Sequence, residues 1–275
     1  MIDESTNYIS APIGVFDSGL GGLTVVHAIQ KHLPHESIVY LGDTAHVPYG
    51  NRSADMVCSL AINDVKFLLQ KHVKAIVVAC NTVSALALDM LLKQYPNVPI
   101  IGVLEPGAMA TVVFNPKRIA ILGTRGTISS GGYERKIRSL LPLVDMVSIS
   151  CPLFVPFAEE GITDGPLLRS VFDLYLSKLK QNIPDVVLLG CTHYPLFRPL
   201  FQSYFPEGVK IIDSAETTAI FLKKQLTEYN LLSSTEKKGK IQIFVTDMTP
   251  GFSSLAKTFL FSPDSTTLNI THVNI

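Results

Sequence analysis

AIVVACNT (residues 75–82) and VVLLGCTH (residues 186–193) follow one pattern, in which an apolar run ends in a cysteine and a polar residue. The apolar runs lack the polar alternation of a half-exposed strand, which is typical of a parallel strand covered on both faces. Ligands of parallel α/β sheets bind outside the carboxyl ends of the strands, which is where both cysteines stand. The repeated pattern predicts two related α/β halves that face each other.

Similar apolar runs alternate with amphipathic stretches along the rest of the chain, which predicts βα units around parallel sheets. Residues 52–71 form one amphipathic stretch, with apolar residues at helical spacing from Val57 to Leu68. The polar segment 233–240 is expected to be a loop ahead of a late strand. The predicted strands are residues 13–17, 37–43, 75–79, 100–104, 118–123, 145–150, 185–190, 210–213 and 241–246.

The composition is that of a globular protein, with 47% hydrophobic and 17% charged residues among 275. Lys and Arg together number 23, as do Asp and Glu, so the zero net charge gives no electrostatic support for a nucleic-acid partner. No apolar run is long enough for a membrane-spanning helix, and MIDESTNYIS at the start lacks the features of a secretory signal. Because the four cysteines are expected to be reduced thiols, we expect a cytoplasmic protein with no membrane partner.

Cys80 and Cys191 are the two candidate reactive thiols. A thiol that ends a strand and opens a helix lies near the positive end of the helix dipole, which favours the thiolate. An unperturbed cysteine has a pKa of about 8.5, so one thiolate could act as a base while its partner stays protonated as an acid. The residue types alone equally allow two small buried hydrophobes. Cys58 and Cys151 are expected to be structural.

Polar residues stand beside three of the predicted strand ends. Asp17, with Ser18 and Gly19 after it, ends the first strand, where a carboxylate could orient or deprotonate a group. Asn81 and Thr192 directly follow the two cysteines and are suited to capping a helix. These positions extend the candidate site beyond the thiols.

His193 follows Cys191 by two residues and could exchange a proton with its thiol, or could simply be a polar loop residue. The chain has no C-x-x-C motif and no closely spaced set of His and Cys, so we expect no metal site. It also lacks G-x-G-x-x-G, which argues against a dinucleotide cofactor.

Seven motifs stand in an order that is typical of glutamate racemases, in the aspartate/glutamate racemase family. They are VFDSGLGGLTV, YLGDTAHVPYG, VVACNTVSA, IIGVLEPGA, ILGTRGTISSGGY, CPLFVPFAEEG and LLGCTHYPL. The chain resembles that family from about residue 13 to residue 213, with a weaker likeness at residues 245–260. One departure is Gly126 before Thr127, where family members read a fuller GTxAT.

The resemblance implies two flavodoxin-like α/β domains with parallel sheets, related by pseudo-symmetry, and an active site between them. One domain would comprise residues 1–103 plus 214–275, and the other residues 104–213. The family needs no pyridoxal phosphate, other cofactor or metal. A small-molecule substrate, glutamate, is the expected partner, and a homodimer is left open.

The resemblance also implies roles for individual residues. Cys80 and Cys191 would be the catalytic thiols, one on each face of the substrate α-carbon. Asp17, in the first domain, would assist Cys80. His193 and Glu159, in the second domain, would assist Cys191. The residues implied to hold the amino and carboxylate groups of the substrate are Asp17, Ser18, Tyr49, Gly50, Asn81, Thr82, Thr124, Thr127, Thr192 and His193.

The activity that the resemblance implies is the isomerase reaction that interconverts L- and D-glutamate and supplies D-glutamate for bacterial peptidoglycan. Cys80 would act on D-glutamate and Cys191 on L-glutamate. The residues leave three alternatives open: a racemase for aspartate or another acidic amino acid, a hydrolase that uses Cys191 with His193, and a non-catalytic binding protein.

Overall fold

The described strands form two sheets in which every pairing is parallel. A computed structural model describes residues 9–263 and 265–275, so the first eight residues of the predicted first domain lie outside the described residues. The strands are β1 (Ile13–Asp17), β2 (Ile38–Gly42), β3 (Ala75–Val78), β4 (Ile100–Gly102), β5 (Arg118–Gly123), β6 (Asp145–Ser150), β7 (Val186–Gly190), β8 (Lys210–Asp213), β9 (Ile241–Val245) and β10 (Ile270–His272). The larger sheet has the order β10-β9-β2-β1-β3-β4, and the smaller has the order β6-β5-β7-β8.

Helices connect the strands and cover the sheets. The α-helices are α1 (Leu23–His32), α2 (Ala54–Gln70), α3 (Asn81–Leu86), α4 (Leu88–Gln94), α5 (Leu104–Val112), α6 (Arg125–Ser129), α7 (Gly132–Leu140), α8 (Phe154–Glu159), α9 (Pro166–Leu176), α10 (Arg198–Tyr204), α11 (Ser214–Glu228) and α12 (Phe252–Phe259). Short 3-10 segments are Thr44–His46, Tyr49–Asn51, Ser177–Lys180 and Tyr194–Phe197. This alternation of strand and helix confirms the predicted parallel α/β class.

All nine predicted strands are present, each with ends within two residues of the prediction. The fourth ends early, at Gly102, because α5 begins at Leu104. The predicted helix is α2, where the side chain of Ser53 accepts a hydrogen bond from the N–H of Met56 and so caps the first turn. The sequence does not predict β10, because this short, partly exposed edge strand has no continuous apolar run.

Burial explains why the central strands were visible in the sequence. Every residue of β1, β3 and β7 is buried, so both faces of each strand require apolar side chains. In contrast, β6 lies at the edge of the smaller sheet and is partly exposed at most positions. Each thiol therefore follows a strand that is buried at every position.

The carboxyl ends of the two sheets face each other. Thr82, after β3, lies 2.9 Å from Thr124, after β5, between their side-chain oxygens. Behind this edge, α1 packs against α11, and one apolar core continues from the larger sheet into the smaller. None of the helices in the described part of the chain combines the length and apolar character needed to cross a bilayer.

Candidate active site

A cavity of about 490 Å³ opens between the facing strand ends, and Cys80 and Cys191 both lie on its wall. The structure brings most of the predicted site residues to this wall: Ser18, Tyr49, Gly50, Asn81, Thr82, Thr124, Glu159, Thr192 and His193. Asp17 and Thr127 lie behind the wall, where both are buried. One cavity therefore contains the thiols of both halves.

Cys80 is the N-cap residue of α3, as its position after β3 predicts. Its Sγ lies 3.7 Å from the hydroxyl oxygen of Ser18. Burial raises the pKa of the Cys80 thiol to about 12, and the negative charge of Asp17 adds to this rise. The expectation that the helix terminus favours a thiolate is wrong for Cys80, because burial and a nearby carboxylate outweigh a helix of six residues.

Asp17 is fully buried beneath the first loop. Its Oδ2 accepts hydrogen bonds from the N–H groups of Gly19 and Gly22, at 3.1 and 3.0 Å. Its Oδ1 lies 3.5 Å from the hydroxyl oxygen of Thr192, in the other half. Burial raises the pKa of Asp17, although the charge of His193 and the N–H donors oppose that rise. Asp17 therefore affects Cys80 through its charge rather than through a direct hydrogen bond.

The nearest ionisable partner of Cys191 is an imidazole, which in turn contacts a carboxylate. Its Sγ lies 3.8 Å from Nδ1 of His193, and Nε2 of the same ring lies 3.2 Å from Oε1 of Glu159. Burial by itself lowers the pKa of His193, but its contacts with Cys191 and Glu159 outweigh burial and raise that pKa to about 10. A protonated His193 stabilises negative charge on the sulfur of Cys191.

The first loop approaches this second thiol closely. The hydroxyl of Thr24 donates to the carbonyl oxygen of Thr192 at 3.0 Å. A Cβ at Gly21 would lie 2.2 Å from Oγ1 of Thr192 and 2.5 Å from Nδ1 of His193, so only glycine fits there. The glycines of DSGLGG thus bring the loop of one half against the residues beside Cys191 in the other.

Three threonines join the two halves at one side of the cavity. The hydroxyl of Thr82 lies 2.9 Å from that of Thr124 and 3.4 Å from that of Thr127. Thr124 also caps α6 by accepting from the N–H of Thr127 at 3.2 Å. A Cβ at Gly126 would lie 3.0 Å from Cγ2 of Thr82, so the departure from GTxAT allows α6 to approach closely.

Neither Asn81 nor Thr192 caps a helix through its side chain, so that expectation is wrong. The Oδ1 of Asn81 accepts from the hydroxyl of Tyr133 at 2.6 Å, and its Nδ2 donates to the hydroxyl of Ser214 at 3.2 Å. The hydroxyl of Thr192 contacts Asp17 and His193 instead. Both side chains therefore connect the two halves.

Part of the cavity wall consists of residues that the sequence did not predict. Among the described residues that line the cavity, Arg125 is the only lysine or arginine, and its Nη1 donates to Oδ1 of Asn51 at 3.3 Å. The position of Arg125 inside the ILGTRGTISSGGY motif could have indicated that it lines the cavity. The other missed residues lie in or directly after the YLGDTAHVPYG motif, in the CPLFVPFAEEG motif, or on α9: Val47, Pro48, Asn51, Pro152, Leu153, Val155, Pro156 and Tyr175.

The remaining two cysteines lie off the cavity wall. Cys58 is half-buried on α2, at the edge of the core, and Cys151 is fully buried after β6. These positions agree with a structural reading of both. Within residues 9–263 and 265–275, no group of three or more His, Cys, Asp or Glu side chains is arranged to hold a metal ion.

Paired thiols between two parallel α/β halves define a class of racemases, and comparison with known proteins agrees. The chain belongs to the Asp/Glu/Hydantoin racemase family, whose model matches residues 23–221. This match confirms the resemblance drawn from the motifs and, at the level of the family, the prediction of an isomerase.

Within the family, similar proteins are glutamate racemases. The one from Geobacter metallireducens is 44% identical over 249 residues, which cover 90% of this chain and 92% of the relative. The crystal structure of glutamate racemase from Francisella tularensis in complex with D-glutamate has a TM-score of 0.89 at 35% identity, covering 97% of this chain and 98% of that one. The RacE1 isoform from Bacillus anthracis has a TM-score of 0.90 at 36% identity, covering 96% and 98%.

Proposed function

We propose that this chain interconverts L- and D-glutamate by a two-thiol mechanism. The observation that carries the proposal is the cavity into which each half contributes one cysteine. The sulfurs are close enough for charge on Cys191 to raise the pKa of Cys80. Similar proteins of known structure are glutamate racemases, one of them described with D-glutamate bound.

The resting protein is proposed to hold one thiolate and one thiol. Cys191, beside protonated His193, supplies the thiolate, and Cys80, whose pKa is raised to about 12, supplies the thiol. This arrangement is ready for L-glutamate, because a base on one face and an acid on the other are both in place.

The proposed reaction from L-glutamate has two proton transfers. The thiolate of Cys191 takes the α-proton, a new S–H bond forms, and the electron pair of the broken C–H bond passes toward the substrate carboxylate. The S–H bond of Cys80 then breaks as its proton is delivered to the opposite face of the α-carbon. The reverse sequence converts D-glutamate, so each thiol serves as base for one enantiomer and acid for the other.

The developing negative charge must be stabilised by hydrogen bonds and by exclusion of water. We assign this role to the hydroxyls and N–H groups on the wall, from Ser18, Thr82, Thr124 and Thr192. Arg125 is proposed to attract a substrate of net negative charge. Asn81 and Gly50 are proposed to stabilise the developing charge through their backbone groups. The side chain of Asn81 already has hydrogen-bond partners.

The division into domains is part of the same proposal. Residues 1–103 plus 214–275 would form the domain that carries Cys80, and residues 104–213 the domain that carries Cys191. In support, the two sheets divide their strands at these boundaries. Each of the two catalytic thiols would then come from a separate domain.

The cellular role is proposed as supply of D-glutamate for peptidoglycan, in the cytoplasm. The location is supported by the chemistry, because both thiols must stay reduced to carry protons. A homodimer is proposed as well, with the exposed apolar side chains Val113 and Leu143, at the ends of the packed helices α5 and α7, as the candidate contact.

A substrate panel tests the activity. Purified protein is incubated separately with L-glutamate, L-aspartate and L-glutamine, and both enantiomers are measured by chiral chromatography. We expect L-glutamate to approach equal amounts of the two enantiomers, with little conversion of the others. Preferred conversion of aspartate would make the chain an aspartate racemase. Release of product from a thioester substrate in a burst, without racemisation, would favour the hydrolase, and no turnover of any kind would favour a binding protein.

A further inference from the structure

Asp64 is a carboxylic acid in the interior, on the buried face of α2. Its neighbours on that face, Ala61, Val65 and Leu68, are apolar, and Asp64 itself is completely buried. An ionised carboxylate at such a place is strongly destabilising unless it is paired and hydrogen-bonded. Among the described residues, the charged groups that act on Asp64 are two carboxylates, those of Asp43 and Asp17.

The contacts of Asp64 do not suit an ionised side chain. Its Oδ2 lies 3.3 Å from the phenol oxygen of Tyr49, and its Oδ1 has no hydrogen-bond partner within the described residues. The same phenol oxygen lies only 2.5 Å from Oδ2 of Asp43. A phenol has a single proton to donate, and the shorter contact assigns it to Asp43. An ionised Asp64 would then place lone pairs against the lone pairs of the phenol oxygen.

The geometry also decides which of the two acids holds a proton. Asp43 faces two hydroxyl donors, the phenol of Tyr49 and the hydroxyl of Thr246 at 2.7 Å from Oδ1, and Nδ1 of His46 lies 2.8 Å from the same Oδ1. Asp64 faces none. Consistent with this difference, burial first and the charge of Asp43 second raise the pKa of Asp64 well above its ordinary value.

We propose that Asp64 is a protonated carboxylic acid that donates a hydrogen bond to Tyr49 and thereby positions the Tyr49–Gly50 segment on the cavity wall. Tyr49 then accepts from Asp64 and donates to Asp43, so its phenol is held from both sides. Tyr49 and Gly50 both line the cavity. Holding the phenol ring of Tyr49 in place therefore also holds the backbone of these two residues, which faces the substrate. The protonation state of Asp64 does not depend on the proposed function, whereas its effect on substrate binding rests on that function.

The protonation state is tested by infrared spectroscopy at neutral pH. A protonated carboxylic acid has a carbonyl band that an ionised carboxylate lacks. We expect the difference spectrum between the wild type and Asp64→Asn to show one such band lost. We also expect Tyr49→Phe to shift this band, because Asp64 loses its acceptor. A difference spectrum without a lost band would overturn the proposal, as would a band that is unchanged in Tyr49→Phe.

The positioning role is tested by comparing Asp64→Asn with Asp64→Leu. An asparagine keeps a neutral side chain whose N–H can donate to Tyr49, so the KM for glutamate should stay close to that of the wild type. Leucine removes the donor and should raise KM about fivefold, the equivalent of one neutral hydrogen bond, with kcat little changed. Asp55→Asn, on the exposed first turn of the same helix, is the matched control.

The outcomes separate the two proposals. An Asp64→Asn protein as impaired in KM as Asp64→Leu would contradict a neutral donor, and a fall in kcat alone would contradict a positioning role. If Asp64→Leu does not fold, the infrared bands of the wild type, Asp64→Asn and Tyr49→Phe still decide the protonation state. A protein that shows the band but does not racemise glutamate would refute the proposed function and leave protonated Asp64 in place.

Discussion

Cys80 and Cys191 follow equivalent strands, β3 and β7, yet the charges around them have opposite signs. Behind Cys80 lies the carboxylate of Asp17, and burial with that charge raises the pKa of the thiol. Beside Cys191 lies His193, and its contacts raise the pKa of this histidine to about 10. Equivalent positions in two related halves thus acquire different electrostatic surroundings from residues elsewhere in the chain. The fold therefore places the two thiols, and their neighbours set the charge that each thiol faces.

Removing either thiol should have the largest effect. Cys80→Ser or Cys191→Ser replaces the thiol by a much weaker acid of nearly the same volume, so racemisation should fall by about 10²–10⁴-fold while the fold is kept. Polarimetry measures the rate, and circular dichroism checks the fold. Cys58→Ser, a cysteine away from the cavity, is the control and should remain active. Near wild-type turnover in either folded single variant would eliminate the two-thiol mechanism.

His193→Asn should break the asymmetry between the thiols. Loss of the cation should lower kcat/KM by about tenfold to a hundredfold, the worth of one charge-assisted hydrogen bond. The fall must be equal for L- and D-glutamate, because the enantiomers have equal free energies in water. Mass spectrometry of peptides after brief iodoacetamide treatment should show Cys191 modified before Cys80 in the wild type, without that preference in the variant. Preferential modification of Cys80 in the wild type would reverse the assignment.

The pH dependence should follow the same histidine. The pKa of His193 is raised, so its imidazolium persists through neutral pH and is lost as the pH rises through about 10. Log kcat/KM should decline through that range for both enantiomers, because the two reacting protonation states carry the same number of protons. His193→Asn should lack this decline. A wild-type profile that falls near pH 7 would show that His193 is not held protonated.

Arg125→Gln should have the smallest effect of these changes. Arg125 is exposed, so its attraction for an anionic substrate is screened by water and salt. KM for glutamate should rise about twofold to fivefold with kcat nearly unchanged, and the rise should shrink at high salt. Arg169→Gln, in the surface pair with Asp164, serves as the control and should not alter KM. A large fall in kcat would mean that Arg125 acts on the reacting atoms instead.

The sequence was informative about strands and thiols because both depend on local pattern. Strands buried on both faces require continuous apolar runs, and a cysteine at the end of such a run is carried to the ligand-binding edge. The edge strand β10 was not predicted, because a partly exposed strand does not need a continuous apolar run. Local pattern could also not reveal that Asn81 is held by Tyr133 and Ser214, residues far along the chain.

The protonation states of Cys80 and Asp64 could not be predicted from the sequence either. A cysteine at the start of a helix suggests a thiolate, but at Cys80 the burial and the charge of Asp17 have the opposite effect. The same holds for Asp64, whose position on an otherwise apolar helix face gave no sign of Asp43 and Tyr49 beside it. Such effects arise from contacts between segments that only the folded chain brings together.

The most direct test of two opposed thiols is the fate of hydrogen during racemisation in heavy water. The reaction starts from L-glutamate, and the Cα hydrogen of each enantiomer is measured by mass spectrometry at low conversion. If Cys191 removes the proton and Cys80, already exchanged with solvent, supplies the new one, early D-glutamate should contain deuterium. Unreacted L-glutamate should stay largely unlabelled, because its own proton is the one returned. Early D-glutamate that retains mostly protium would show a single base acting on both faces and would contradict the mechanism.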